Sequence, residues 1–580
     1  MTGTRARAAL ALAAVALACA IVVQDSGPNQ AAHHALVRAL AAGTPEIDPR
    51  ETIDAAYVDG RFYAAKAPGL ALFTLPWHLG LRGAGLQDTP LSTSDGYRHR
   101  VWELDLFGAV LPMAVLLLLM YLAVERVVPG YGLPASVLLG AGTLLLPFAT
   151  LFFDHVLSAT LGFAAFFVLL VERRQNSPWF VAAAGALAGF AIVVEFSLGI
   201  VAVVLAAYAI VGDRWARRAL SYAGGLLLGV LPLAAYNTWA FGSPLRLSYT
   251  NALKAPAGDG APVVGANAGG FYGVSLPDPR AALTLLVSEK GLLVVTPIAI
   301  AAMFGLPLLW RAGHRAETVV CAAVPLSFLV YNAGYYLPYG GQSPGPRFLV
   351  PALPFLAIPL GFVMRSRPLV IAGVGLASVC VMALATITGP LTGVEYSVDL
   401  WLDRLGNGDV VETVGGLLGV RPDWLAALPF GLLLALACSL AFSRLPLRAA
   451  LRSEGSLFVG VLGAWLVVVL VAPDLVPADE PNGTDEGVLA VLLLLGVIAI
   501  AIDVTRRSGW LALLVLAPAF VLTAPNFEHR PRVSLAFGAL LFGASAALWI
   551  HQRRLSSATT RAEDREGDAA VREPSHPFAP

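Results

Sequence analysis

Along most of the chain, apolar stretches alternate with short polar joints. A helix needs about 20 mostly apolar residues to cross the hydrocarbon of a bilayer. On that measure the sequence predicts about sixteen transmembrane helices: 7–24, 104–124, 132–151, 156–171, 178–194, 196–211, 219–239, 287–309, 318–333, 348–364, 368–388, 423–442, 456–472, 486–502, 509–523 and 533–550. Only Glu195 and Ser197 mark the joint between 178–194 and 196–211. Pro68–Leu86 is also apolar but carries Pro76 and His78, so it reads as an interfacial or re-entrant piece. The predicted fold class is all-α and polytopic.

Composition agrees. The chain has 580 residues, of which 57% are hydrophobic and 13% charged. A soluble domain carries about 25% charged residues. That excludes a soluble enzyme, a nucleic-acid binder and a disordered protein, and the zero formal net charge offers no field to a polyanion. The four cysteines sit in apolar runs and read as small core residues. No CxxC or HExxH occurs, and His33–His34 is the one histidine cluster, so no metal site is predicted from motifs.

Arginine placement sets the expected sidedness. Arg5 and Arg7, Arg173 and Arg174, Arg214, Arg217 and Arg218, Arg311 and Arg315, Arg444, Arg448 and Arg452, and the tail from Arg553 all fall on one side. The short joints at 152–155, 195 and 473–485 hold no Lys or Arg. By the positive-inside rule both termini are cytoplasmic. Residues 1–24 lack a convincing cleavage site and read as a retained helix. The charged, Pro-containing tail 556–580 is expected to be disordered.

The spans are almost free of charge, with Glu195 the main borderline case, and the polar residues gather in the outer loops 25–103, 240–286 and 389–422. This favours a site at the outer face over an ion path. In the first loop, Asn29–Ala42 has helical spacing, with Leu36, Val37 and Leu40 on one side. Asp48, Asp54 and Asp59 follow, then Gly60-Arg61-Phe62-Tyr63 and Lys66-Ala67-Pro68-Gly69. A carboxylate can deprotonate a hydroxyl, and a lysine can neutralise a phosphate. Asp25, directly after the first span, is a further carboxylate on this side.

The order helix, Asp, Gly-Arg-Phe-Tyr, Lys-Ala-Pro-Gly resembles the first outer loop of GT-C superfamily membrane glycosyltransferases. These include the protein O-mannosyltransferases and the lipid A aminoarabinose transferases. Phe153-Asp154-His155 is similar to the superfamily's second acidic position, and Gly345-Pro346-Arg347-Phe348-Leu349-Val350-Pro351 to the start of one of its late spans. Asn237 with Phe241-Gly242-Ser243-Pro244 resembles a segment of bacterial members. The resemblance covers about 7–388. It departs where many members carry Asp-Glu before the loop helix, because this chain has Pro28-Asn29-Gln30.

The resemblance implies a GT-C-like catalytic core over 1–388, an outer loop at 389–422 and additional spans over 423–555. It implies transfer of a sugar from a polyprenyl-phosphate donor to an acceptor hydroxyl of a glycan, lipid or protein, at the outer face of a bacterial cytoplasmic membrane. Asp54 or Asp25 would be the base, with Asp48 and Asp59 behind them. Lys66 and Arg347 would bind the donor phosphate. Asp154 and His155 would hold the acceptor or a divalent metal.

Plainer readings stand beside these. Lys66 and Arg347 can snorkel to the interface, and Asp54 can cap a turn. Glu289 and Lys290 read as an interfacial ion pair, and Tyr331, Tyr335, Tyr336 and Tyr339 as an aromatic belt. A lipid-linked saccharide flippase or other carrier is the alternative class.

Overall fold

The computed structural model describes residues 2–49, 51–86, 94–211, 214–254, 262–267, 269–393 and 398–475. The predicted spans 486–502, 509–523 and 533–550 and the tail 556–580 lie outside the described residues. The described chain is mainly helical, with irregular loops and two short antiparallel strand pairs. Seven of its helices are long and apolar enough to cross a membrane: Arg100–Val127, His155–Glu172, Trp215–Phe241, Arg315–Gly334, Arg347–Ser366, Pro368–Thr388 and Asp423–Phe442. The protein is therefore an all-α polytopic membrane protein, and the apolar-run pattern placed most of these helices to within a few residues.

Two predicted spans are not continuous helices. The stretch expected at 287–309 breaks between Val295 and Pro297 and bends by 98°. Pro297 cannot donate its backbone N–H, and Thr296 leaves helical geometry at φ −139, ψ 61. The stretch expected at 132–151 is a helix at Gly132–Ala141, a turn, and a short helix at Leu145–Phe148. Pro68–Leu86 is covered by one helix, Gly69–Gly83, and the first-loop helix is Pro28–Ala41, close to the predicted Asn29–Ala42.

Segments assigned to the inner side by charge meet one another. Arg7 donates to Ser443 at 3.1 Å, and Arg444 to Thr4 at 2.9 Å. Arg218 grips the buried Glu172 carboxylate with both arms, at 2.7 and 2.6 Å. Tyr208 donates to Glu317 at 2.8 Å, and Arg173 lies 3.7 Å from the same carboxylate. Removing one partner of a buried pair strands the other. Glu172→Gln is expected to lower stability by about 3 kcal/mol, read as an earlier thermal midpoint in detergent. An unchanged midpoint would show that Arg218 finds water instead.

Segments assigned to the outer side meet at the other end. The strand Val22–Val23, at the end of the first helix, pairs with Glu412–Thr413 of the 389–422 loop. Gln24 donates to Thr150 and to the Thr386 carbonyl.

Three expectations need correction. Glu289 and Lys290 are buried rather than interfacial, and the Lys290 ammonium donates to the Ser343 and Thr392 carbonyls, the Thr392 hydroxyl and the Gly393 carbonyl. Those partners pull the cation under the loop ahead of Arg347. The four tyrosines are not a single belt of one kind: Tyr331, Tyr335 and the half-exposed Tyr336 line an open cavity, and Tyr339 is buried against Ser288. Cys380 is exposed rather than in the core.

Candidate functional site

The first-loop sequence builds its own hairpin. Ala55–Val58 pairs with Arg61–Ala64. Asp59 and Gly60 both take positive φ, 51° and 86°. A two-residue turn of that kind matches strand twist and favours Asp-Gly. The ladder continues one step, with Ala65 N–H donating to the Asp54 carbonyl at 2.9 Å. Asp54 therefore stands opposite Ala65, and Lys66 follows immediately. Their side chains meet at 3.1 Å. Thr52 ties the pair to the first-loop helix by donating to the Pro28 carbonyl at 2.7 Å.

Lys66-Ala67-Pro68-Gly69 then turns into the next helix. A Cβ on Gly69 would meet the backbone of Val193 and Val194 at 2.5 Å. The missing side chain lets this turn press against the chain just before Glu195. Glu195 sits between the helices Pro178–Val194 and Phe196–Ala209, and it is buried. Its Oε2 lies 3.1 Å from His155 Nδ1 and accepts from Ser158 at 2.7 Å, while Oε1 accepts from Ser197 at 2.8 Å. Asp154 lies 3.4 Å from the same Nδ1, and its other oxygen is 3.8 Å from His33 Nε2.

Arg347 opens a 3₁₀ stretch, Arg347–Leu356, that continues into the Ala357–Ser366 helix. It is 9% exposed. Its guanidinium lies over the rings of Phe153 and Phe348, 5.5 and 5.3 Å from their centres. Among the described residues it forms no ion pair, and its buried Nε has no hydrogen-bond partner.

These groups share one cavity of about 640 Å³. Asp54, Lys66, Asp154, His155, Glu195 and Arg347 supply its charge. Tyr249, Tyr331, Tyr335 and Tyr336 form an aromatic wall, in which the Tyr249 and Tyr335 hydroxyls bond each other. Ile192, Ile200 and Leu233 carry the lining onto apolar helix faces. Several buried polar atoms around it have no hydrogen-bond partner among the described residues: Asn29 Oδ1, Asp154 Oδ1, His155 Nε2, Asn267 Oδ1, Arg347 Nε and both ring nitrogens of His33. Orphaned groups of this sort are costly unless a ligand or water satisfies them.

Asp25, the second candidate base, is exposed and is not among the residues lining the cavity. Asp48 and Asp59 are exposed as well, and Asp59 pairs with Arg246 at 2.7 Å. Sequence reasoning passed over three participants. Glu195 was visible as the lone charge at a joint between two apolar runs. His33 was half of the only histidine pair. Asn29 stands where the resembled loop carries an acid.

Burial pushes the Asp54 carboxyl up, but Lys66, by charge and hydrogen bond, and then Arg347 and His33 more than offset it, leaving it below the ordinary carboxylate value. Asp154 goes the other way. Burial, helped by Glu195, pushes it up to about 6 against His155, Lys66 and Arg347. Burial would also raise Glu195, but His155 and the hydrogen bonds it receives hold it below the usual value.

Beside the site, His34 is fully buried, and burial followed by the charges of Arg38, His78 and Arg100 lowers it to about 3. Its folded value lies below the ordinary 6.5, so the unfolded chain takes the proton first. Its contribution is complete above about pH 6.5 and drains away as the pH falls toward 3. His34→Gln should lose less thermal stability than the parent between about pH 7 and 5. Asp154 titrates with the opposite sign but equally in both proteins, so the difference isolates His34. Parallel losses would reject a neutral His34.

No protein-family model matches the chain, and no curated protein matches it in sequence. Among solved structures it is similar to the crystal structure of ArnT from Cupriavidus metallidurans bound to undecaprenyl phosphate. The identity is 14%, the match covers 84% of this chain and 79% of that one, and the TM-score is 0.45. A superposition at that level carries no argument about residues or chemistry.

Proposed function

We propose that the protein is a GT-C-type membrane glycosyltransferase that moves a sugar from a polyprenyl-phosphate donor to an acceptor hydroxyl. The observation that carries this reading is Arg347: a buried guanidinium with no ion pair among the described residues, sharing a cavity with the Asp54–Lys66 pair. A buried cation of this kind needs an anion, and a planar fork suits two oxygens of a phosphate. The orphaned polar atoms suit a polyhydroxylated ligand, and the apolar lining suits a lipid chain.

In the proposed reaction Asp54 accepts the proton of the acceptor hydroxyl. The acceptor oxygen bonds to the anomeric carbon as the bond from that carbon to the phosphate oxygen breaks. The leaving oxygen keeps the electron pair, and Lys66 and Arg347 stabilise the phosphate charge. Asp154 and His155 form the opposite half of the site.

The deciding experiment incubates the purified protein with radiolabelled polyprenyl-phosphate sugars and hydroxyl-bearing envelope lipids or glycans. Label moving to an acceptor in the parent and not in Lys66→Ala is the expected result. Label that crosses a vesicle bilayer without changing its chemical linkage would instead identify a carrier. The reading places the protein in a bacterial cytoplasmic membrane with the cavity outward and both termini cytoplasmic. A reporter fused at residue 560 and active only in the cytoplasm is expected; one active only in the periplasm would invert the topology.

A further inference from the structure

We propose that Arg38, His78, Arg82 and Arg100 form a binding site for the phosphate headgroup of an anionic phospholipid, on the face of the first-loop helix turned away from the cavity. Asn29 lines the cavity, and His33 lies 3.8 Å from Asp154. Arg38 comes about two and a half helical turns after Asn29, so it leaves from the opposite face. His34 stands one turn before Arg38 on that face. The helix Gly69–Gly83 packs against Pro28–Ala41 and repeats the pattern. His78-Leu79-Gly80-Leu81-Arg82 has the spacing of His34-Ala35-Leu36-Val37-Arg38. In each, a buried histidine is followed one turn later by an arginine nearer the surface.

A third element completes the cluster. Trp77 Nε1 donates to the Glu103 carbonyl at 2.9 Å, and Phe73 and Trp77 stack on Phe107 with ring centres 5.0 and 5.5 Å apart. These contacts bring the turn that carries His78 beside the start of the Arg100–Val127 span. Burial, followed by the charges of Arg82, Arg38 and Arg100, holds His78 below the ordinary imidazole value, so three cations surround this ring.

The cluster lacks an anion. His78 is only 5% exposed, and its Nδ1 is buried with no hydrogen-bond partner among the described residues, as is Arg100 Nε. Arg38 pairs with Glu51 at 2.8 Å, whereas Arg82 and Arg100 form no ion pair among the described residues. Buried donors left unmade are costly, and guanidinium arms are the donors that phosphate oxygens take best. A lipid suits the site better than free phosphate, because Trp77, Leu79 and, just past the helix end, Leu86 are exposed apolar side chains on the same segment. An interfacial helix with arginines beside exposed apolar groups takes an anionic headgroup and its acyl chains together. The inference stands on this cluster and is independent of sugar transfer.

The test uses the full-length protein in neutral detergent with phosphatidylglycerol that carries a photoactivatable group in one acyl chain near the headgroup. After irradiation the labelled peptides are mapped by mass spectrometry, which separates this site from lipid bound elsewhere on the protein. Label is expected within residues 69–86, displaced by excess unlabelled phosphatidylglycerol but not by phosphatidylcholine or inorganic phosphate. Arg82→Gln and Arg100→Gln should each weaken labelling there by about 10–100-fold, the loss that goes with one charge-assisted hydrogen bond. Arg82 is exposed, so its variant keeps the test alive should Arg100→Gln fail to elute as a single species. Arg61→Gln, which removes an exposed charge at the hairpin tip of the same loop, should label as the parent does. An equal loss in Arg61→Gln would reduce the effect to bulk charge and overturn the site. Labelling undiminished in both cluster variants, or displacement by phosphatidylcholine as effective as by phosphatidylglycerol, overturns it as well. Displacement by inorganic phosphate would overturn the lipid in favour of the free anion.

Discussion

Asp54→Asn is expected to cut transfer by about 10²–10⁴-fold, the usual cost of losing a positioned base, while affinity for the lipid-phosphate donor holds or rises. The second half of that result distinguishes a base from a counter-ion. Lys66 is 3.1 Å from Asp54, and its side chain is 16% exposed. Removing the carboxylate charge leaves that ammonium without its partner, and the donor phosphate becomes the natural replacement. If Asp54 served only to neutralise Lys66, the substitution would change donor binding and spare the rate of the bound complex. Because Asp54 is held below the ordinary carboxylate value, the parent should also keep its base ionised across the neutral range. The measurement is a single-turnover rate at saturating donor, with donor Kd determined in parallel. A normal rate with altered Kd would move the base elsewhere.

Arg347→Lys should lower transfer by about 10–100-fold although the charge is kept, since a charge-assisted hydrogen bond is worth roughly 1.5–3 kcal/mol. The guanidinium is flat, packs over Phe153 and Phe348, and presents a fork that a single ammonium cannot copy. A lysine there is a point charge on a flexible stem. Donor Kd and transfer rate should both suffer, with Lys66→Ala as a comparator that removes a cation outright. An Arg347→Lys protein with parental kinetics would mean that only charge matters at this position. The planar contact with phosphate would then be wrong.

How much of this was legible beforehand follows the range of the forces. The span 368–388 was readable to the residue because hydrocarbon thickness imposes a length on an apolar run and Pro368 opens the helix, as Pro178 opens the shorter apolar helix 178–194. Asp54 and Lys66 were each legible as chemistry-bearing residues of the first loop, but their contact was not, because it depends on a hairpin. The hairpin itself carried a signal that went unused: Asp59-Gly60 between apolar residues is a strong two-residue turn. The approach of Glu195 to His155 spans 40 positions, and no local pattern encodes it. The bend at Thr296 was hidden because an apolar run stays apolar whether or not the helix is continuous. The tyrosines misled for a different reason. A ring with one polar tip suits a membrane interface and a polar cavity equally well, so Tyr331 and Tyr335 fit both until the packing is known.

The hairpin register has a consequence for how this loop can vary over time. Asp54 stands opposite Ala65, and so beside Lys66, only because four strand pairs, from Ala55 with Ala64 to Val58 with Arg61, are counted back from the tip. Side chains alternate faces at every step, so a one-residue slip turns the whole strand over. Natural variants should therefore drift freely in composition at exposed positions such as Arg61 and still conserve the number of residues between the acid and the lysine. Insertions and deletions should be better tolerated at the exposed Asp48 than between Asp54 and Lys66, where they should be selected against. Spacing, more than identity, is then the heritable signature by which distant copies of this loop could be recognised.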